Sequence, residues 1–239
     1  MRPFILCLVL VSLGFISSVR ADDQPAAPLR VVLIGDSTVC DYPPAHANRG
    51  WGQFIGEHFQ PGAVTILNLA AAGRSTKTFI QEGRWQKALD AKSAYILIQF
   101  GHNDSHSPEK PEATNAATDY RDYLRRYIDE ARKAGAIPIL ITPMVRRTFG
   151  PDGKLTDALA PYAEAMKAVA GEKHAAVIDL HAYSAALVEK LGPAASAAMA
   201  NKPGDVTHFN EKGARAMADL IIQGLLAADP KLARLLKTP

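Results

Sequence analysis

A serine, a histidine and an aspartate stand in this 239-residue chain in surroundings that suit nucleophilic catalysis. Ser37 follows Val-Val-Leu-Ile-Gly-Asp, so four apolar residues run directly into the turn that carries it. A serine hydroxyl is a poor nucleophile until a neighbouring base takes its proton. His208 follows Asp205 by three residues, a spacing that lets the carboxylate reach Nδ1 and leaves Nε2 for Ser37. We therefore predict Ser37 as nucleophile, His208 as base and Asp205 as the residue that orients the base.

Acyl transfer also needs hydrogen-bond donors for the oxyanion of the tetrahedral intermediate. The chain offers three candidate donors, which are the backbone N–H of Ser37, the backbone N–H of Gly73 and the side-chain amide of Asn103. Glycine suits position 73 because a side chain there could block the approach of the substrate. These donors predict an oxyanion hole and favour an enzyme that needs no metal or other cofactor.

The elements that must position these residues alternate between strands and helices. Strands are predicted from short apolar runs at 29–34, 64–69, 94–100, 137–141 and 176–180. Most runs are continuous, which is typical of parallel strands covered on both faces. Helical spacing runs from Tyr120 to Ala131 before Gly135, and from Ala214 to Leu225 after a predicted cap at Asn210. The alternation predicts an α/β fold with a five-stranded, doubly wound parallel sheet, whose ligands bind at the carboxyl ends of the strands.

The N-terminal segment reads as a secretory signal peptide over residues 1–21. Arg2 precedes an apolar run, and small residues lead to Ala21. Without this segment the net charge of +3 falls to about +1, because Arg2 and Arg20 leave with it. Residues 22–239 then suit one domain, and the charge predicts neither a nucleic-acid nor a membrane partner. We expect a secreted or periplasmic protein that is a monomer and contains no disulfide, since Cys40 is the only cysteine left.

The polar segments at the predicted strand ends resemble the four sequence blocks of the SGNH (GDSL-type) hydrolases. The blocks are Gly-Asp-Ser-Thr at 35–38, Gly73, Gly-His-Asn-Asp at 101–104 and Asp-Val-Thr-His at 205–208. They span nearly all of the mature chain in the expected order. The resemblance implies a flavodoxin-like three-layer fold. It also implies the same triad of Ser37, Asp205 and His208, and the same oxyanion donors.

Three longer segments resemble the rhamnogalacturonan acetylesterases within that family. They are Asn-Leu-Ala-Ala-Ala-Gly-Arg-Ser at 68–75, Phe-Gly-His-Asn-Asp at 100–104 and Thr-Pro-Met-Val-Arg-Arg at 142–147. This branch removes acetyl groups from the pectic backbone. The resemblance implies an acetylated polysaccharide or oligosaccharide as the substrate partner. A lipid esterase or thioesterase, and a non-catalytic carbohydrate-binding protein, remain as alternatives.

Other polar residues compete for these roles. His181 is the main rival base, because Asp179 precedes it by two residues at the end of a predicted strand. His102, Asp104 and His106 alternate as zinc ligands would, although the serine mechanism needs no metal. We instead expect Asp104 to hold its own loop through local backbone hydrogen bonds, and Asp36 to stabilise the turn beside the nucleophile.

Basic residues near the strand ends could bind the carboxylates of a pectic substrate. Arg74 and Arg146 are the main candidates, with Lys77 and Arg147 beside them, because arginine grips carboxylates in a bidentate manner. His102 could line the site or pack beneath Asn103. Trp51 could stack on a sugar or anchor a helix, and the anchoring role is slightly favoured.

Overall fold

The computed structural model describes residues 27–238, and these form a five-stranded parallel sheet between two layers of helices. The strands are β1 (Leu29–Gly35), β2 (Val64–Asn68), β3 (Tyr95–Gln99), β4 (Ile137–Ile141) and β5 (Ala176–Ile178). Their order across the sheet is β2-β1-β3-β4-β5, and every neighbouring pair is parallel. The predicted fold class is therefore confirmed. The predicted signal peptide lies outside the described residues.

Seven α-helices and two short 3-10 helices lie within residues 27–238, and the last three α-helices follow β5. The α-helices are α1 (Thr76–Gln81), α2 (Arg84–Asp90), α3 (Asp119–Lys133), α4 (Ala160–Glu172), α5 (Leu180–Ala197), α6 (Glu211–Ala228) and α7 (Pro230–Ala233). The 3-10 helices, Trp51–Gln53 and Ile55–His58, follow β1. None of the helices within residues 27–238 is long and apolar enough to cross a bilayer.

Alternate residues of β1 point into two separate apolar cores. Val31 and Leu33 pack with the 3-10 helices and with α5, α6 and α7. Val32 and Ile34 pack on the opposite face with α1 to α4. Helices cover each face of the sheet, so both cores are closed, which explains the continuous apolar runs of β1 and β3. The edge strand β2 departs from this pattern, since none of its residues is fully buried and Leu67 is 37% exposed.

Two helix boundaries agree with the sequence, whereas the end of β5 shows the largest difference among the strands. Gly135, with φ of 82°, follows α3, and the Asn210 side chain caps α6 by accepting from the Gly213 N–H. Strand β5 ends at Ile178, two residues before the predicted end. Asp179 instead caps α5 by accepting from the Ala182 N–H, because the chain turns into a helix at once.

The strand order places a topological switch point between β1 and β3. The chain passes from β1 to β2 on one side and from β3 to β4 on the other, so the loops after β1 and β3 diverge. A crevice forms at such a point, outside the carboxyl ends of the strands. Ser37 follows β1 and Asn103 follows β3, so the fold places both residues at this crevice.

The inner strand β1 should be far more sensitive to truncation than the edge strand β2. Leu33 is fully buried, so Leu33→Ala should lower the free energy of unfolding by about 3 kcal/mol through lost burial and a new cavity. The matched variant Leu67→Ala on exposed β2 should cost less than about 1 kcal/mol. Urea unfolding of both variants would check this expectation, and equal losses would contradict it.

Candidate active site

The structure brings Ser37, His208 and Asp205 into one hydrogen-bonded chain. His208 Nε2 lies 2.9 Å from Ser37 Oγ, although 171 positions separate the two residues. His208 Nδ1 lies 3.0 Å from Asp205 Oδ2. This arrangement allows the imidazole to take the serine proton while the carboxylate fixes its tautomer and stabilises its positive charge. The three predicted triad residues therefore meet with the geometry that general-base catalysis requires.

The loop from Asp205 to His208 folds around its own carboxylate. Asp205 Oδ1 accepts hydrogen bonds from the backbone N–H groups of Thr207 and His208, at 2.9 and 2.8 Å. Burial acts to raise the pKa of Asp205, but the two N–H donors and the His208 ring outweigh it and lower the pKa. The carboxylate thus stays charged and oriented when it supports the imidazolium.

Arg147 holds the loop from Asp205 to His208 in place through hydrogen bonds to its backbone. Its Nη2 donates to the backbone carbonyls of both Asp205 and His208, at 2.9 and 2.8 Å. The guanidinium also lies over the Phe209 ring, 4.4 Å from its centroid. Only 5% of Arg147 is exposed, and burial lowers its pKa to about 10, so it remains charged at neutral pH. The prediction that Arg147 binds substrate is wrong, because its guanidinium is buried beneath the base.

A buried chain of side chains holds the nucleophile turn on the other side. Trp51 Nε1 donates to Gln99 Oε1 at 2.6 Å, and Gln99 Nε2 donates to Thr38 Oγ1 at 2.7 Å. The Thr38 hydroxyl and N–H both donate to Asp36 Oδ1, at 2.8 Å each. Asp36 therefore stabilises the turn as predicted. Trp51 is fully buried, so it anchors this chain and does not stack on a sugar.

His102 and Asp36 form a second buried contact beneath the nucleophile. His102 Nδ1 lies 3.5 Å from Asp36 Oδ2, and only 3% of His102 is exposed. Burial acts to raise the pKa of Asp36, but His102 and the Thr38 donors outweigh it and lower the pKa. This burial favours the alternative of a packing role beneath Asn103, and substrate binding by His102 stays a prediction.

Three predicted oxyanion donors lie on the loops after β1, β2 and β3. The N–H groups of Ser37 and Gly73 donate to no acceptor within residues 27–238. Asn103 Nδ2 donates to the Arg74 carbonyl at 2.9 Å, which orients the amide and leaves its second hydrogen available. Gly73 has φ of 79° in the turn that the Arg74 N–H closes onto the Ala71 carbonyl. A β-carbon at position 73 would meet no atom of the described chain. Within this chain, therefore, glycine is favoured there by the positive φ and not by lack of space.

Asp104 ties the Asn103 loop to two distant segments. Its fully buried carboxylate accepts from the Thr76 N–H and hydroxyl at the start of α1, and from the Thr114 hydroxyl at 2.9 Å. The expected local backbone bonds are thus replaced by contacts with partners 28 and 10 positions away. Desolvation of the carboxyl outweighs these donors and raises its pKa to about 7. Asp104 consequently positions the Asn103 loop while staying partly protonated near neutral pH.

The competing histidines have separate partners. His181 Nε2 lies 2.7 Å from Asp157 Oδ2, and its Nδ1 lies 2.9 Å from the Pro143 carbonyl. It does not pair with Asp179, because α5 begins at Leu180 and turns the two side chains apart. His106 pairs with Glu112 at 2.7 Å, so His102, Asp104 and His106 point to three different partners. No cluster of potential metal ligands occurs within residues 27–238.

The remaining basic candidates are already engaged. Arg74 Nε lies 3.1 and 3.0 Å from the two carboxylate oxygens of Glu82. Arg146 is half-buried and donates through Nη2 to the His102 carbonyl and the Ser105 hydroxyl. Lys77 donates to the Ala113 carbonyl. A uronate would have to displace Glu82 from Arg74, so substrate binding by Arg74 and Arg146 stays a prediction.

Sequence reasoning missed the residues that hold the triad in place. Gln99 and Thr38 belong to the buried chain, and Tyr42 donates to the Ser37 carbonyl at 2.9 Å. Gln99 carried a usable signal, because it is a polar residue at the end of a run that is otherwise apolar. Its burial requires a partner for both ends of the amide. Arg147 carried no such signal, because nothing in the surrounding sequence distinguishes a buried arginine from an exposed one.

The fold and the geometry agree with the family to which the chain belongs. Residues 33–216 match the family model described as GDSL-like Lipase/Acylhydrolase family. The matched range contains Ser37, Gly73, Asn103, Asp205 and His208. The chain is therefore a member of the GDSL-like lipase/acylhydrolase family, and it is a carboxylic ester hydrolase.

Individual relatives cover most of the chain. It is 40% identical over 213 residues to the rhamnogalacturonan acetylesterase RhgT of Bacillus subtilis (strain 168), covering 83% of this chain and 90% of the relative. The crystal structure of YxiM from Bacillus subtilis superposes with a TM-score of 0.75 at 30% identity, covering 86% of this chain and 58% of that one. The acetylxylan esterase Axe2 of Geobacillus stearothermophilus superposes with a TM-score of 0.66 over 83% and 95% of the two chains. At 18% identity, Axe2 supports the fold alone.

Arg147→Met should impair turnover more than substrate binding. The variant keeps the bulk of the side chain but removes both hydrogen bonds to the carbonyls of Asp205 and His208, so the imidazole loses its position. We expect kcat on nitrophenyl acetate to fall by about 10- to 100-fold with a much smaller change in KM. Arg147→Lys retains a single donor group and should give an intermediate kcat. The exposed control Arg126→Met should match the wild type, and equal rates for both methionine variants would contradict the role.

Asp104 should make stability fall as pH rises from about 4 to 7. Its pKa is about 7 in the folded chain and near 3.8 when unfolded, so the folded state holds the extra proton between these values. The contribution of Asp104 to the free energy of unfolding is therefore greatest below pH 3.8. It declines by about 1 kcal/mol per pH unit until the carboxyl of the folded chain ionises near pH 7. Asp104→Asn should remove this component. Urea unfolding across that range would measure it, and parallel wild-type and variant curves would contradict it.

Proposed function

We propose that this enzyme is a carbohydrate O-acetylesterase that removes acetyl groups from a plant cell-wall polysaccharide, with acetylated rhamnogalacturonan as the principal substrate. The observation that carries the proposal is the hydrogen-bonded chain of Ser37, His208 and Asp205, together with Ser37 and Gly73 N–H groups that have no acceptor within the described residues. This arrangement suits attack on an ester carbonyl and stabilisation of the resulting oxyanion.

The first half of the reaction forms an acetyl-enzyme. Ser37 Oγ attacks the acetyl carbonyl while His208 Nε2 takes the hydroxyl proton. The oxyanion accepts hydrogen bonds from the Ser37 and Gly73 N–H groups and from the Asn103 amide. The C–O bond to the sugar then breaks, and the imidazolium returns its proton to the departing sugar oxygen.

The second half releases acetate and restores the serine. Water gives a proton to His208 and attacks the acetyl carbonyl, forming a second tetrahedral intermediate. Its collapse breaks the bond to Ser37 Oγ, which recovers the proton from the imidazolium. Asp205 stays charged throughout, since the Thr207 and His208 N–H groups keep its pKa low.

The surroundings of the triad support a short acyl group. Five large apolar side chains are exposed within residues 27–238, and of these Val206 alone lies on a loop of the site. A long acyl chain would need a wider apolar surface to replace its contacts with water. The loop after β2 presents small residues instead, at Ala72 and Gly73. This composition favours acetyl esters over lipid esters.

Sequence relatedness supports the choice of polysaccharide. RhgT, at 40% identity and nearly full coverage, is named for acetyl removal from rhamnogalacturonan. A second relative of the same name from Emericella nidulans is 28% identical over 91% of its length. Action on a plant cell-wall polymer would also require export, which the segment at residues 1–21 would direct.

Acetate release from defined substrates tests the proposal. The wild type should release acetate from acetylated rhamnogalacturonan faster than from acetylated xylan or mannan, and should cleave nitrophenyl acetate faster than nitrophenyl octanoate. Ser37→Ala should lose nearly all turnover, because the nucleophile is absent. Preference for the octanoyl ester would point to a lipid esterase.

The fold of the serine variant serves as the control. Ser37 is a turn residue whose hydroxyl pairs within the described residues with His208, so the alanine variant should keep the wild-type unfolding midpoint. A serine-reactive phosphonate should label the wild type at Ser37 and leave the variant unlabelled. Substantial activity in a folded, unlabelled variant would refute the assignment of the nucleophile.

A further inference from the structure

A cavity of about 500 Å³ opens at the N-termini of α3 and α4. Both helices follow strands of the parallel sheet, so their N-termini lie at the carboxyl edge that also carries Ser37. The volume is within the range of small-ligand sites. The walls that matter here are formed by His106, Asn115, Thr118, Asp119 and Tyr162.

The cavity begins one turn from the predicted oxyanion amide. The His106 N–H donates to the Asn103 carbonyl at 3.2 Å, which closes a tight turn over residues 103–106. The α-carbons at the two ends of such a turn are within about 7 Å of each other. A sugar chain with an acetyl group at Ser37 could therefore continue past Asn103 and His106 into the cavity.

Several polar side-chain atoms of the wall have no partner within the described residues. They are the amide nitrogen of Asn115, the hydroxyl of Thr118 and the second carboxylate oxygen of Asp119. Their other atoms are fixed, since Asn115 Oδ1 accepts from the Ala117 N–H at 2.8 Å and Asp119 Oδ1 accepts from the Asn115 N–H at 2.6 Å. The wall thus presents the hydroxyl of Thr118, together with one amide donor and one carboxylate acceptor whose side chains are oriented by these hydrogen bonds.

Tyr162 gives the cavity a rigid floor that is connected to the active site. Its hydroxyl lies 3.0 Å from the Asp104 carbonyl and 2.6 Å from the Thr114 carbonyl. Its ring packs edge-on against Tyr120, with centroids 5.0 Å apart. Asp104 is the residue that fixes the Asn103 loop, so the cavity and the oxyanion amide share one support.

The charges of the wall select against an anionic occupant. Asp119 contributes a carboxylate, and no lysine or arginine lines the cavity. His106 is paired with Glu112 at 2.7 Å, which balances its charge when it is protonated. An anion would meet the Asp119 carboxylate without a compensating cation. A neutral molecule rich in hydroxyl groups matches the donors and acceptors.

We propose that this cavity is a subsite for a neutral sugar unit that neighbours the acetylated unit on the same polysaccharide chain. The proposal rests on the proposed function, because it takes the substrate to be a carbohydrate. The hydroxyl groups of the sugar pair with Asn115, Thr118 and Asp119. The subsite lengthens the recognised segment beyond the ester, so it raises affinity for polymers more than for small esters.

Thr118→Val and Asn115→Asp test this subsite. Valine keeps the shape of threonine without its hydroxyl, and aspartate keeps the oxygen that accepts from Ala117 while removing the amide donor. For each variant, the ratio of kcat/KM on an acetylated hexasaccharide to kcat/KM on nitrophenyl acetate should fall about fivefold, as expected for one lost hydrogen bond. The matched control Thr65→Val, on the exposed edge of β2, should leave the ratio unchanged. An unchanged ratio in both test variants would overturn the proposal.

Direct binding separates this proposal from the proposed function. Xylohexaose, which is neutral, and hexagalacturonate, which is anionic, are titrated calorimetrically into Ser37→Ala with and without Thr118→Val. Neutral binding that weakens about fivefold on adding Thr118→Val supports the subsite even if the wild type releases no acetate, a result that would refute only the proposed function. Absence of xylohexaose binding, or weakening confined to hexagalacturonate, would overturn the subsite.

Discussion

The hydrogen bond between Ser37 and His208 is the interaction on which the site depends, and neither residue can maintain it alone. The two side chains come from loops that are 171 positions apart, so their 2.9 Å separation must be set by what holds each loop. Arg147 holds the base by binding the carbonyls of Asp205 and His208. On the other side, Trp51, Gln99, Thr38 and Asp36 hold the nucleophile. The distance between Ser37 and His208 therefore depends on two buried sets of polar side chains, one beside each loop.

Both sets include a buried charged side chain, at Asp36 and at Arg147, where an apolar side chain would lose less solvation free energy on burial. Burying a charged guanidinium or carboxylate carries a large desolvation penalty that hydrogen bonds must offset. Asp36 and Arg147 meet it differently. Asp36 accepts from Thr38 and faces His102, whereas Arg147 uses one nitrogen for two carbonyls and lays its plane over Phe209. The same directional bonds fix the loops in one arrangement, which packing alone would define less sharply.

The sequence was sufficient to predict the sheet and the three side chains that meet as a triad, because each lies in or beside a local pattern. The oxyanion donors stay a prediction. Apolar runs identified the strands, and the residues after them identified the crevice. The sequence was insufficient for Arg147, which looks solvent-facing until the loop between α5 and α6 folds over it. His102 and Trp51 show the same limit, since burial depends on which elements pack together. Strand β5 ended early because Asp179 capped a helix, a competition between two local signals that the sequence alone left undecided.

The separation of Ser37 and His208 along the chain also bears on when the enzyme can act. A ribosome delivers β1 and its serine early, yet the imidazole that activates it arrives only after β5 and α5 have been made. Arg147 likewise emerges long before the carbonyls that it binds. A nascent chain that has folded β1 to β4 therefore carries a serine without its base. Esterase activity therefore depends on the segment between α5 and α6, which is made only after all five strands of the sheet.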